Sequence, residues 1–130
     1  EYKLEKVVTL RGNVDFSKEL IPFIKANVDV FVCCHRQSDP SCTYLETYAC
    51  GVPIIGYDNR AHRGILEHAD VGWSVQMDDV IALANKITYL SENREELKTK
   101  AINAKRFASK HTFEKTFYRR MEHCNKVVEV

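Results

Sequence analysis

What this sequence has little of narrows its chemistry first. Its 130 residues hold no apolar run of transmembrane length. Charge of one sign is also missing: 19 Lys and Arg against 18 Asp and Glu leave a formal net charge of +1. A global pull toward nucleic acid is thereby excluded, and nucleic acid is not an expected partner. There is no Gly-rich phosphate loop, no Ser-His-Asp elbow and no Cys-His dyad. The five cysteines, Cys33, Cys34, Cys42, Cys50 and Cys124, include no Cys-x-x-Cys pair. Their number is odd and two are adjacent, which argues against a disulfide framework and for a reducing, cytoplasmic setting. His35 beside them invites a zinc reading, but neighbouring strand residues point to opposite faces, so no metal site is expected.

What is present is an alternation of apolar β-branched runs with helical patterns. An apolar fraction of 45% over this length suits one domain with a real core. Strands are expected at Val7–Arg11, Val28–Cys34, Pro53–Tyr57 and Val71–Val75, the second as a central strand covered on both faces. Helices are expected at Ser17–Asn27, with Pro22 tolerated only in the first turn, at Thr43–Cys50, stopped by Gly51, and at Arg60–Ala69. Asp78 or Asp79 should cap a further helix through Leu90. After that only helices follow, Arg94–Lys110 and Thr112–Val128, broken at His111-Thr112. The fold class is therefore α/β: a doubly wound parallel sheet with right-handed crossovers and a helical C-terminal extension over residues 94–130.

The densest signal runs from Ser38 to Pro53. It reads as a polar loop leaving a buried strand, a short helix, a Gly turn and another strand. The first amides of such a helix are unpaired, and with the helix dipole they suit a phosphate or diphosphate. Glu46 follows inside the helix, placed to accept from a pair of hydroxyls. Ser41 or Thr43 is expected to cap it.

This segment resembles the donor-binding motif of retaining, nucleotide-sugar-dependent glycosyltransferases built from two Rossmann-like domains, the GT-B architecture of the glycosyl transferases group 1 type. Leu45-Glu46 and Ala49-Cys50-Gly51-Val52-Pro53 carry the likeness. Arg11-Gly12-Asn13-Val14, Asn27-Val28-Asp29-Val30-Phe31-Val32 and Val71-Gly72-Trp73-Ser74-Val75 extend it over roughly Val7 to Phe117.

The resemblance implies that Glu46 holds the ribose hydroxyls. It implies that Cys42, Thr43, Tyr44 and Leu45 bring backbone amides to the donor diphosphate. Ser38, eight residues before Glu46, stands where the family has an acid facing the sugar. Asp39 is the neighbouring alternative, or else simply shapes the turn before Pro40. His35 and Arg36 leave a strand's carboxyl end and are candidates for sugar and phosphate, with a solvated rim as the competing account. Asn13 and Val14 lie where the family meets the base. His62 and Arg63 are expected on a helix surface.

The same resemblance implies a substrate, a nucleotide diphosphate-sugar, and no separate cofactor. It implies that residues 1–130 are the later part of a donor domain, partnered by an acceptor-binding N-terminal domain of the same protein. Phe113, Phe117, Tyr118 and Met121 would then form an interdomain surface. The basic residues of the last two helices are ordinarily a solvated face; the alternative is contact with an anionic membrane at its inner, cytoplasmic face. Two other functions fit an α/β chain of this kind: a sugar-nucleotide epimerase and a flavodoxin-like interaction domain.

Overall fold

The computed structural model describes residues 3–38 and 42–128. Three short strands, β1 (Phe31–Cys33), β2 (Ile54–Tyr57) and β3 (Gly72–Val75), form a parallel sheet in the order β1-β2-β3. Phe31 pairs with Ile54, and Ile54 with Gly72. The helices are α1 (Ile21–Asn27), α2 (Cys42–Ala49), α3 (Arg60–Leu66), α4 (Val80–Glu92), α5 (Arg94–Ala108) and α6 (Phe113–Val128). The expected α/β class with helices on both faces and a helical C-terminal end is thus the observed one.

The period-two alternation of strands sorts the core into two halves. Ile54 and Cys33 point to one face, where they meet Tyr44 and Tyr48 of α2 and Ala104 and Ala108 of α5. Ile55, Tyr57, Trp73 and Val75 point to the other, against Leu83 and Leu90 of α4 and Leu97 of α5. All four residues of β2 are buried, as a central strand requires.

Local chemistry sets the element ends. Gly51 takes a φ of 79°, and Gly51 N–H donates to the Tyr48 carbonyl while Val52 N–H donates to that of Thr47. This paired closure ends α2 and needs a residue at ease with positive φ. Asp79 accepts from Ala82 N–H at 2.8 Å and caps α4, which decides between the two expected caps. Asp15 caps a single π-helical turn, Phe16–Leu20, that leads into α1. Pro22 falls in the first turn of α1, where its missing N–H costs least.

Two strand expectations are corrected. Val7–Arg11 is not a strand but irregular chain, with Leu10 93% exposed. A strand needs a neighbour to satisfy its amides, and among the described residues β1 pairs only with β2. For the same reason the Val28–Cys34 run shortens to three residues, and β1 is an edge rather than a central strand. Val32 on it is 40% exposed. Val28 instead closes α1, its N–H donating to the Ile24 carbonyl.

The later helices follow the sequence pattern. Leu97, Ala104 and Ala108 lie on the buried face of α5. α6 has no buried residue: Phe113, Phe117, Tyr118 and Met121 are all exposed, the first two with rings stacked at 5.8 Å. Among the described residues no helix is long and apolar enough to cross a membrane.

Candidate functional site

The carboxyl ends of three parallel strands open on one edge of the sheet, and of the residues expected from sequence His35, Arg36 and Ser38 lie along it. Parallel sheets of this kind bind ligands beyond those ends, because there the helix N-termini and the loops converge. β1 runs out into Cys34–Ser38, β2 into Asp58-Asn59 and β3 into Gln76–Asp78.

Asn59 ties the centre of this edge together. Its Nδ2 donates to the His35 carbonyl at 3.0 Å and to the Tyr44 hydroxyl at 3.4 Å. Its Oδ1 accepts from His62 N–H at 2.9 Å and caps α3. Cys33 Sγ also donates to the Tyr44 hydroxyl, at 3.7 Å. Tyr44 itself is buried, so its side chain belongs to the core while its backbone remains at the start of α2. Arg60 N–H, at the start of α3, donates to Ser38 Oγ at 3.1 Å. Ser38 is thus held by a neutral hydrogen bond at a helix start.

His62 departs from its expected surface position. It is fully buried, with neither ring nitrogen paired among the described residues. Its ring lies over Gly56 and beside Tyr44, 5.7 Å between ring centroids. Burial pushes its pKa below the ordinary imidazole value; the nearby Tyr57 carbonyl, outside hydrogen-bond geometry, and Asp58 oppose this more weakly. Arg63 does sit at the surface, gripping Asp58 through two contacts of 2.8 and 2.7 Å. That hydrogen-bonded partner holds the Asp58 carboxyl below its usual range.

Arg36 is exposed and its Nε donates to the Asp78 carboxylate at 2.7 Å. Asp78 takes a φ of 63°, a left-handed conformation that Asp tolerates better than most side chains.

Glu46 and Thr43 face a different direction. They line a groove of about 400 Å³ between α2 and the N-terminal segment, with Arg11, Phe23, Ile24 and Phe31 among its walls. The Arg11 guanidinium lies 3.7 Å from the Phe23 ring centroid. Leu45 points instead into an apolar groove beside α3, lined by Ala61, Gly64 and Phe107. Asn13 and Val14 are exposed and line neither groove; the strand expected to deliver them is absent. Cys42 is exposed at the first position of α2. Asp39 and Ser41, the candidate acid and candidate cap, lie outside the described residues.

The structure therefore joins His35 and Tyr44 through Asn59 by hydrogen bonds, ties Ser38 to Arg60, and sets Thr43 and Glu46 in a shared groove. Sequence reading assigned no site role to Asn59, Arg60 or Asp78, and none to Arg11 as part of a groove wall. Asn59 had one available signal, a good N-cap residue directly before a helical pattern at a strand end. Among the described residues, no group of three or more His, Cys, Asp or Glu side chains is placed to hold a metal ion.

Comparison with known proteins adds the family. No curated protein matches the sequence significantly. The family model described as "Glycosyl transferases group 1" matches residues 1–107, which takes in all three strands, α1–α4 and nearly all of α5. With that match spread over a parallel Rossmann-like sheet, the chain belongs to the glycosyl transferases group 1 family.

Proposed function

We propose that this domain holds the nucleotide diphosphate-sugar donor of a glycosyltransferase that moves a hexose onto a glycan, lipid or small-molecule acceptor. The observation that carries this is the position of α2: its first turn stands beyond the carboxyl end of β1, and Glu46 follows it, exposed in a groove with Thr43. In this reading the amides of Cys42, Thr43, Tyr44 and Leu45 meet the diphosphate, and Glu46 accepts from the ribose hydroxyls, a charge-assisted and directional contact. Ser38 or Asp39, with His35, faces the sugar, and Arg36 faces phosphate. Asn13 and Val14 reach the base only if the N-terminal segment folds over the groove.

The chemistry asked of such a site is modest. The acceptor oxygen bonds to the anomeric carbon, and the bond from that carbon to the diphosphate oxygen breaks. The electron pair leaves with the nucleoside diphosphate, and the acceptor's hydroxyl proton is released. Helix-start amides and a cation stabilise the charge growing on the leaving group. The acceptor comes from an N-terminal domain of the same protein, to which the exposed apolar face of α6 is suited. The donor is a substrate, so no cofactor is invoked, and the setting is cytoplasmic. Contact with the inner face of a membrane is the weaker part of this reading, since α6 carries acidic as well as basic side chains. Nothing in the site favours the epimerase or interaction-domain alternatives.

Calorimetric titration of the chain with UDP, GDP and ADP, repeated on Glu46→Ala, tests the reading. Saturable binding of one nucleotide, weakened about tenfold or more by the substitution, is the expected result. Binding indifferent to Glu46 removes its assigned role. No binding of any of the three overturns the donor-site proposal.

A further inference from the structure

We infer that Asn59 is a positioning residue for the strand-end loop of this site, holding the backbone of Cys34–Ser38 in register with the start of α2. The inference rests on the donor-site reading for its functional half and on geometry alone for its structural half. Asn59 is buried, and its amide is fully employed. One N–H reaches the His35 carbonyl, the other the Tyr44 hydroxyl, and the oxygen takes the His62 amide of α3. Three separate elements meet at one planar group: the loop after β1, the first turn of α2, and the first turn of α3.

Asn59 makes its hydrogen bond to that loop from a buried position, 3% exposed. The second tie, Arg60 N–H to Ser38 Oγ at 3.1 Å, comes from the residue next to Asn59 and depends on the same capped helix start. A loop held by exposed contacts alone samples many conformations, and each costs affinity when a ligand must select one. A buried amide bonded to a loop carbonyl removes that cost beforehand. The geometry also separates the two jobs of Asn59. Its oxygen caps α3, which is a matter of stability. Its NH2 group fixes the loop and α2, which is a matter of site geometry.

A serine at this position keeps an oxygen suited to capping and lacks the amide donor. Asn59→Ser and, from the other side, Tyr44→Phe are therefore compared with the unaltered chain by amide hydrogen exchange and by nucleotide titration. The expected result for Asn59→Ser is faster exchange confined to Cys34–Ser38 and the first turn of α2, with β2, β3 and α4 protected as before. Affinity for whichever of UDP, GDP or ADP binds should fall about fivefold, the weight of one lost buried hydrogen bond. Tyr44→Phe, which leaves the bond to His35 intact, should loosen α2 but not the loop. Unchanged exchange across Cys34–Ser38 overturns the inference, as does a uniform loss of protection through the whole domain. So does a loosened loop with undiminished affinity, in a chain that binds nucleotide. If the unaltered chain binds none of the three nucleotides, the donor-site reading falls and the exchange pattern alone decides whether Asn59 positions the loop.

Discussion

Arg36 Nε donates to the Asp78 carboxylate at 2.7 Å, joining the loop after β1 to the loop after β3 across the end of β2. Both side chains are more than half exposed, so the pair itself contributes only about 0–1 kcal/mol to stability. Its consequence is for binding, because the carboxylate competes with any phosphate for the one guanidinium. Asp78→Asn keeps a residue that accepts the left-handed backbone and frees Arg36. Nucleotide diphosphate affinity should rise in Asp78→Asn and fall in Arg36→Ala. Asp78→Asn should give no further gain in the Arg36→Ala background. A gain that survives in the double variant means that Asp78 acts by simple repulsion and not through Arg36.

The buried imidazole of His62 makes stability depend on acidity. Its folded pKa lies below the ordinary value near 6.5, so between the two values the unfolded chain binds the extra proton. Stability from this residue is fully present above about pH 6.5 and is lost as pH falls through the folded pKa. One proton sets an upper limit of about 1.4 kcal/mol per pH unit on the slope. Denaturant unfolding at pH 7.5, 6.5 and 5.5 should show the decline, and His62→Phe should flatten it. An equal decline in His62→Phe assigns the acid sensitivity to other groups.

Gly56 is the reason that His62 fits. A Cβ at this position would stand 2.5 Å from the Cys33 carbonyl oxygen and 2.8 Å from His62 Nδ1. The first neighbour is backbone of the paired strand and cannot yield. Gly56→Ala should therefore cost about 1–3 kcal/mol or more of unfolding free energy, read from the denaturant midpoint. Gly64→Ala, where nothing lies within 4 Å of the added carbon, is the matched control and should be neutral or slightly stabilising within its helix.

Tyr48 carries a hydroxyl with no partner among the described residues, at a fully buried position. Burial first, then the neighbouring Tyr44, pushes its pKa well up, so it stays neutral throughout the working range. An unpaired buried hydroxyl is a cost, and removing it leaves the ring's packing against Phe107, 5.9 Å between centroids, intact. Tyr48→Phe should leave stability unchanged or raise it by up to about 1 kcal/mol. A loss above that size would reveal a hydrogen-bonded water beneath α2.

The sequence by itself determined the alternation of strands and helices, the helix stop at Gly51, an Asp cap at position 78 or 79, and the apolar face of α5. These follow from the local rules of backbone conformation, capping and side-chain period, which act within a turn or two of the chain. It also placed Thr43 and Glu46 on one short helix after a strand, and Leu45-Glu46 with Ala49-Cys50-Gly51-Val52-Pro53 carried the likeness to a glycosyltransferase donor motif. Only the tertiary structure decided what depends on neighbours distant in sequence. Val7–Arg11 has a strand's composition but pairs with no strand among the described residues, and it is irregular chain. His62 has the composition of a surface residue but is buried, because Gly56 leaves room for its ring. Arg36 and Asp78 meet, and Asn59 reaches both His35 and Tyr44, because parallel strands bring their ends to one edge. Hydrogen bonds and packing across that edge are settled by the approach of whole elements, and no local pattern encodes that approach.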